Sequence, residues 1–120
     1  MNKVESLISS VNSIHIFSSL DEESSELIHQ TTKMVQADKK EVVVKRGDHL
    51  DGLYGVMAGK LKIYLLSCEG QERIIRIVMP GDSFGEAIMF SDIISPVYVE
   101  ALSPCELMFI PKDSIFSLLR

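Results

Sequence analysis

Residues 45–78 read KRGDHLDGLYGVMAGKLKIYLLSCEGQERIIRIV, and Pro80-Gly81-Asp82 follows one residue later. Inside this stretch Lys60-Leu61-Lys62-Ile63-Tyr64-Leu65 alternates. A period of two predicts a strand with Leu61, Ile63 and Leu65 on one face and Lys60, Lys62 and Tyr64 on the other. Ser67-Cys68-Glu69-Gly70 reads as a hairpin turn, because glycine takes the positive φ that tight turns need. Arg73 to Met79 form the returning strand. Its odd positions, Ile75, Ile77 and Met79, read as the core face, with Arg76 between Ile74 and Val78 on the other.

Outward from this hairpin the pattern repeats. Leu53 to Met57 form another apolar run, closed by Ala58-Gly59-Lys60, and Glu41 to Lys45 form a β-branched run ended by Arg46-Gly47-Asp48. That triplet and Pro80-Gly81-Asp82 echo one another, each where a strand stops and the chain turns a corner. Two later strands are expected near Val97–Leu102 and Leu107–Ile110, separated by Ser103-Pro104. Many short strands with a turn every ten or so residues point to an antiparallel sandwich or jelly roll.

The two ends are helical. Val4, Leu7, Ile8 and Val11 have the spacing of one helix face. A second helix starts at Ser19 or Asp21, both good N-cap types, with Glu22 and Glu23 in its first turn. Its few apolar residues, Leu27 and Ile28, predict a surface cover. Ile115, Leu118 and Leu119 give helical spacing to Lys112–Arg120. The expected fold is α+β and mainly β. N-terminal helices occupy 1–32, an antiparallel double-stranded β-helix (jelly roll) 33–110, and the start of a C-terminal helix 111–120.

Composition narrows the function. The 120 residues carry twelve Lys and Arg against seventeen Asp and Glu, a net charge of −5. Phosphate binding needs a basic surface, so this domain is not expected to grip nucleic acid itself. Cys68 and Cys105 stand far apart with no C-x-x-C pair, which supports neither a disulfide framework nor a metal site built from cysteines. Glu106 beside Cys105 is expected to raise that thiol's pKa. No apolar stretch approaches the roughly 18 residues of a membrane helix, and the N-terminus lacks a signal-peptide core. The cytoplasm is the expected compartment. The three histidines, His15, His29 and His49, fall in linker, helix and corner, and no nucleophile–base set stands out. The reading is a binding domain and not an enzyme.

PGDSFGEAIMFSDIISPVYVEA (80–101), with the stretch quoted first, resembles the sensor domain of CRP/FNR-type bacterial transcription regulators. The resemblance runs from about Ile16 to the C-terminus and rests on the two Gly-Asp corners, Gly59, the Glu69-Gly70 hairpin and Phe84-Gly85-Glu86. It implies a binding cassette over 84–97. There Phe84, Gly85, Glu86 and Ala87 line the pocket, Gly85 lets the backbone approach a ligand, and Glu86 accepts from a ribose hydroxyl. The family's phosphate-binding Arg and small hydroxyl residue fall near Ser95 and Pro96, yet no Arg or Lys occurs from Ser83 to Pro111. A cyclic phosphate buried without a cation forfeits a charge-assisted bond of about 1.5–3 kcal/mol. Arg76 is the one substitute cation the sequence offers, and its other reading is a surface residue. The expectation is a small-molecule effector other than cAMP.

FGEAIMFSD resembles most the dissimilatory nitrate respiration type of regulator. That likeness implies haem-mediated sensing of nitric oxide, with His15 of NSIHIF as the axial-ligand candidate. The other reading of His15 is a linker histidine bonded to backbone or water. A cyclic-nucleotide-binding module is the alternative function, and a ligand-free dimerisation scaffold a third. The family also implies a homodimer in the full-length protein. DNA and RNA polymerase would be met only through a domain absent from this chain, and a membrane not at all.

Overall fold

A computed structural model describes residues 21–118. In chain order the elements are α1 (Glu22–Thr31), β1 (Lys33–Ala37), β2 (Val42–Val44), β3 (Gly52–Ala58), β4 (Leu61–Leu66), β5 (Glu72–Val78), β6 (Ser83–Phe84), α2 (Glu86–Ser91), β7 (Tyr98–Ala101), β8 (Cys105–Pro111) and α3 (Lys112–Leu118). The expected helix around Val4–Val11 and the residue His15 lie outside the described residues.

Two four-stranded sheets, ordered β1-β8-β3-β6 and β2-β7-β4-β5, face each other with every pairing antiparallel. This is the jelly roll that the strand spacing predicted. Residues alternate through β8 to serve two layers. Cys105 and Leu107 point into the core between the sheets with Val44, Val56, Leu61 and Val99. Met108 and Ile110 point the other way, joining Ile28, Leu53, Met89 and Ile115 in a second cluster under the helices. A strand buried on both faces reads as a near-continuous apolar run, which is why CELMFI shows no clean alternation. Helix α1 starts where Asp21 accepts the Ser24 N–H at 2.7 Å, and that bond lowers the Asp21 pKa. The helix does more than cover a surface, because Ile28 is fully buried.

The β4–β5 hairpin departs from simple alternation. Ile63 pairs with Arg76 and Tyr64 with Ile74, leaving Ile75 as the extra residue of a β-bulge. The bulge shifts the pattern by one residue along β5, so Val78, and not Ile77 or Met79, enters the core. Ile75, Ile77 and Met79, expected as the core face, are 56%, 39% and 47% exposed on what is the edge strand of its sheet. Leu61 and Ile63 face the core as predicted, but Leu65 runs past it and is exposed. On the opposite face Tyr64 is nevertheless buried. It stacks on Tyr98 at 5.3 Å and donates to Glu100 Oε1 at 3.2 Å, and burial with this bond pushes its pKa up to about 12. Lys62 joins the same cluster through Glu72, Nζ to Oε2 at 2.6 Å.

Candidate functional site

The two Gly-Asp corners are built alike. Gly47 and Gly81 both sit at φ +96°, a value costly for any residue with a Cβ. In each, the aspartate turns back on its own corner. Asp48 Oδ2 accepts the Lys45 N–H and Asp82 Oδ2 the Met79 N–H, both at 2.9 Å. The second corner is stapled to β3 by Gly81 N–H to Val56 O and Val56 N–H to Asp82 O, each 2.9 Å. It aims the chain into β6, where Phe84 stacks on Tyr54 at 5.0 Å and 9°. Gly85, at φ +94°, then caps α2. A Cβ there would come 3.0 Å from Leu50 Cδ1, which a small shift of that side chain relieves, so it is the left-handed backbone that calls for glycine.

Between α2 and the second sheet lies a cavity of about 410 Å³, within the size range of small-molecule sites. Val44, Leu50, Ile63, Ile88, Val97 and Val99 supply much of its apolar wall. Ser83, Glu86, Ser91 and Arg76 are the polar side chains of the lining. Glu86 Oε1 accepts from Ser83 Oγ at 3.0 Å, while its buried Oε2 has no hydrogen-bond partner. An unpaired buried carboxylate oxygen is costly, so it marks where a ligand donor would be rewarded.

The lining includes Phe84, Gly85, Glu86, Ala87, Pro96 and Arg76 of the residues singled out from sequence. Arg76 differs from the surface reading, since the bulge turns it and Ile75 toward the cavity. Its guanidinium, half exposed at the rim, lies 3.7 Å from Asp82 Oδ1. Ser95 stands apart from the cavity. Its Oγ donates to Val97 O at 2.9 Å, and its backbone exchanges two 2.7 Å bonds with Gly47 and Asp48. Ser95 is buried as a clasp between the cassette and the first corner. The aliphatic wall from β2, β4 and β7 had no signal in the sequence that separates it from ordinary core.

The remaining candidates are elsewhere. Cys68 is exposed and Cys105 buried, and burial, not the neighbouring Glu106, is the main cause that raises the Cys105 pKa. Among the described residues no group of three or more His, Cys, Asp or Glu is placed to hold a metal ion. None of their helices is long and apolar enough to cross a membrane. His49 bridges two carboxylates beside the cassette, Nε2 to Asp92 Oδ1 at 3.0 Å and Nδ1 to Asp51 Oδ1 at 3.3 Å.

Residues 34–120 match the cyclic nucleotide-binding domain family. The chain is 37% identical over 76 residues to the anaerobic regulatory protein of Pasteurella multocida, covering 62% of this chain and 27% of that protein. It is 29% identical over 100 residues to the potassium channel SKOR of Arabidopsis thaliana, covering 81% of this chain and 12% of the channel. The chain thus spans only about a quarter or less of these curated relatives. Among solved structures, the sensor domain of the transcriptional regulator DNR from Pseudomonas aeruginosa superposes with a TM-score of 0.90 at 26% identity, over 99% of this chain and 80% of that one.

Proposed function

Because this chain belongs to the cyclic nucleotide-binding domain family, with CRP/FNR-type regulators among its relatives, we propose that it is the effector-sensing domain of such a transcription regulator. We infer that its effector is a small, largely apolar molecule and not cAMP. The cavity carries this reading. Its wall is aliphatic, the cassette brings no cation to it, and the guanidinium at its rim already lies near Asp82. A cyclic phosphate there would find no cation in the cassette and would have to draw the rim guanidinium of Arg76 away from Asp82 to offset its desolvation. On this reading residues 1–120 form one sensor domain of a cytoplasmic homodimer, without catalytic activity of its own. DNA and RNA polymerase are met by a further domain.

Haem is tested by its iron. Haem iron takes its axial ligand from His, Cys, Met or Tyr, and none of these types lines the cavity among the described residues. A haem reading, with nitric oxide as signal, therefore rests on His15. The cyclic-nucleotide reading keeps one specific support, the unpartnered Glu86 Oε2, which is placed to accept from a hydroxyl.

Two titrations of the purified chain separate the readings. Hemin is added and the Soret band followed in the wild type and in His15→Ala, and cAMP is titrated by calorimetry into the wild type and Glu86→Ala. The expected result is no measurable cAMP heat. A Soret shift lost in His15→Ala identifies haem as the effector group. Tight cAMP binding that Glu86→Ala abolishes overturns the proposal.

A further inference from the structure

We propose that His49 is a positioning residue for the effector cavity, whose proton decides how firmly the C-terminal end of α2 is held between the 47–51 corner and α3. This extends the sensor reading and rests on it only for the meaning of the cavity. The geometry of the ring carries the inference. Nε2 faces Asp92 Oδ1 at 3.0 Å and Nδ1 faces Asp51 Oδ1 at 3.3 Å. A neutral imidazole has one N–H and satisfies one carboxylate; the imidazolium has two donors and satisfies both. Only the protonated ring closes the bridge.

The bridge ends on the wall of the cavity. Asp92 is the C-cap of α2, at φ +52°, where its N–H and that of Ile93 reach back to the helix carbonyls of Met89 and Ile88 at 3.3 and 3.4 Å. Helix α2 supplies Glu86, Ala87, Ile88 and Ser91 to the lining, and Ile93 follows directly. On the other side of the ring, Leu50 is the next residue and lines the same cavity. Asp92 also faces Lys112 Nζ, the first residue of α3, at 3.9 Å, and Phe90 meets Phe116 of α3 at 5.6 Å. One carboxylate thus serves the corner and the C-terminal helix together.

Each packed element contributes one charged group. Asp51 comes from the corner itself, Asp92 from the end of α2, and Lys112 from α3. Asp48, next to His49, is turned away onto the Lys45 N–H. The Asp92 hydrogen bond is the largest cause holding the His49 pKa above its ordinary 6.5, and with the charges of Asp92 and Asp51 it outweighs the desolvation that lowers it. A raised histidine pKa gives a link that is complete below pH 6.5 and lost as pH climbs through the folded-state value. Asp92, held below its ordinary 3.8 first by His49 and then by Lys112, sets the acid limit of the same link. Side chains this exposed make a modest link, suited to tuning a wall and not to holding the fold.

The test uses the 120-residue chain without any effector, so that it stands or falls apart from the cavity's occupant. The His49 ring is titrated by NMR in the wild type, Asp92→Asn and Asp51→Asn. Amide exchange of Asp92 and Ile93 is measured at pH 6 and 8.5, corrected for the intrinsic rate, in the wild type and His49→Gln. We expect a wild-type midpoint above 6.5 that falls in both asparagine variants, most in Asp92→Asn. We expect protection of the two amides to drop roughly two- to fivefold at the higher pH, and to be flat in His49→Gln. A midpoint at or below 6.5, or a pH-dependent protection that persists in His49→Gln, overturns the proposal.

Discussion

The two Gly-Asp corners share one backbone and one side-chain bond, yet they serve different parts of the molecule. The corner at 80–82 is tied to β3 by two backbone bonds and sends Phe84 into the core, so its shape is enforced by packing. The corner at 46–48 is tied to the cassette instead, through the two Ser95 backbone bonds and the His49–Asp92 contact. Local sequence specifies a turn in both. Which strand or loop receives the turn's free donors and acceptors decides whether it is a fixture of the core or a handle on the cavity.

The largest effect should come from the core side. Phe84→Ala removes a buried ring stacked on Tyr54, and should cost about 3–5 kcal/mol in a denaturant titration. A cost under about 1 kcal/mol would mean that the second corner is no more anchored than the first. Next, the two aspartates can be compared directly. Asp82→Ala loses a backbone bond and its contact with Arg76, and should cost about 1–2 kcal/mol, against about 0.5–1 kcal/mol for Asp48→Ala. Equal midpoints for the two variants would break the distinction. Gly47→Ala should match the upper end of the Asp48→Ala cost. A Cβ there meets nothing within 4 Å, so only the backbone conformation is penalised, by about 1 kcal/mol in thermal or chemical unfolding.

Strand spacing and the two corners made the jelly roll legible before any coordinates, because turn chemistry and period-two patterns are local properties. What escaped was settled by neighbours. Strict alternation along β5 puts its odd positions on the core face, and the bulge at Ile75 reverses that from Arg76 onward. Lys33–Ala37 forms β1 although only Val35 and Ala37 turn to the core, since it is recruited by pairing with β8. In the cassette, Phe84 to Ala87 were found by resemblance. The clasp made by Ser95 depends on Gly47 and Asp48, far away in the sequence, and the inward turn of Arg76 on a bulge. Alternation puts Tyr64 on the correct face, but its burial is not legible there, because it comes from stacking on Tyr98 of another strand.

The bulge on β5 has a consequence for the molecule in a crowded solution. An unpaired edge carrying Ile74, Ile75 and Ile77 in the open is the kind of strand to which a second chain adds itself. A regular ladder needs every residue in step, and the extra residue at Ile75 puts the two halves of β5 out of step with each other. Arg73 and Arg76 set a positive charge on either side of the kink. The irregularity that turns Ile75 and Arg76 toward the cavity therefore also spoils the edge as a template for aggregation.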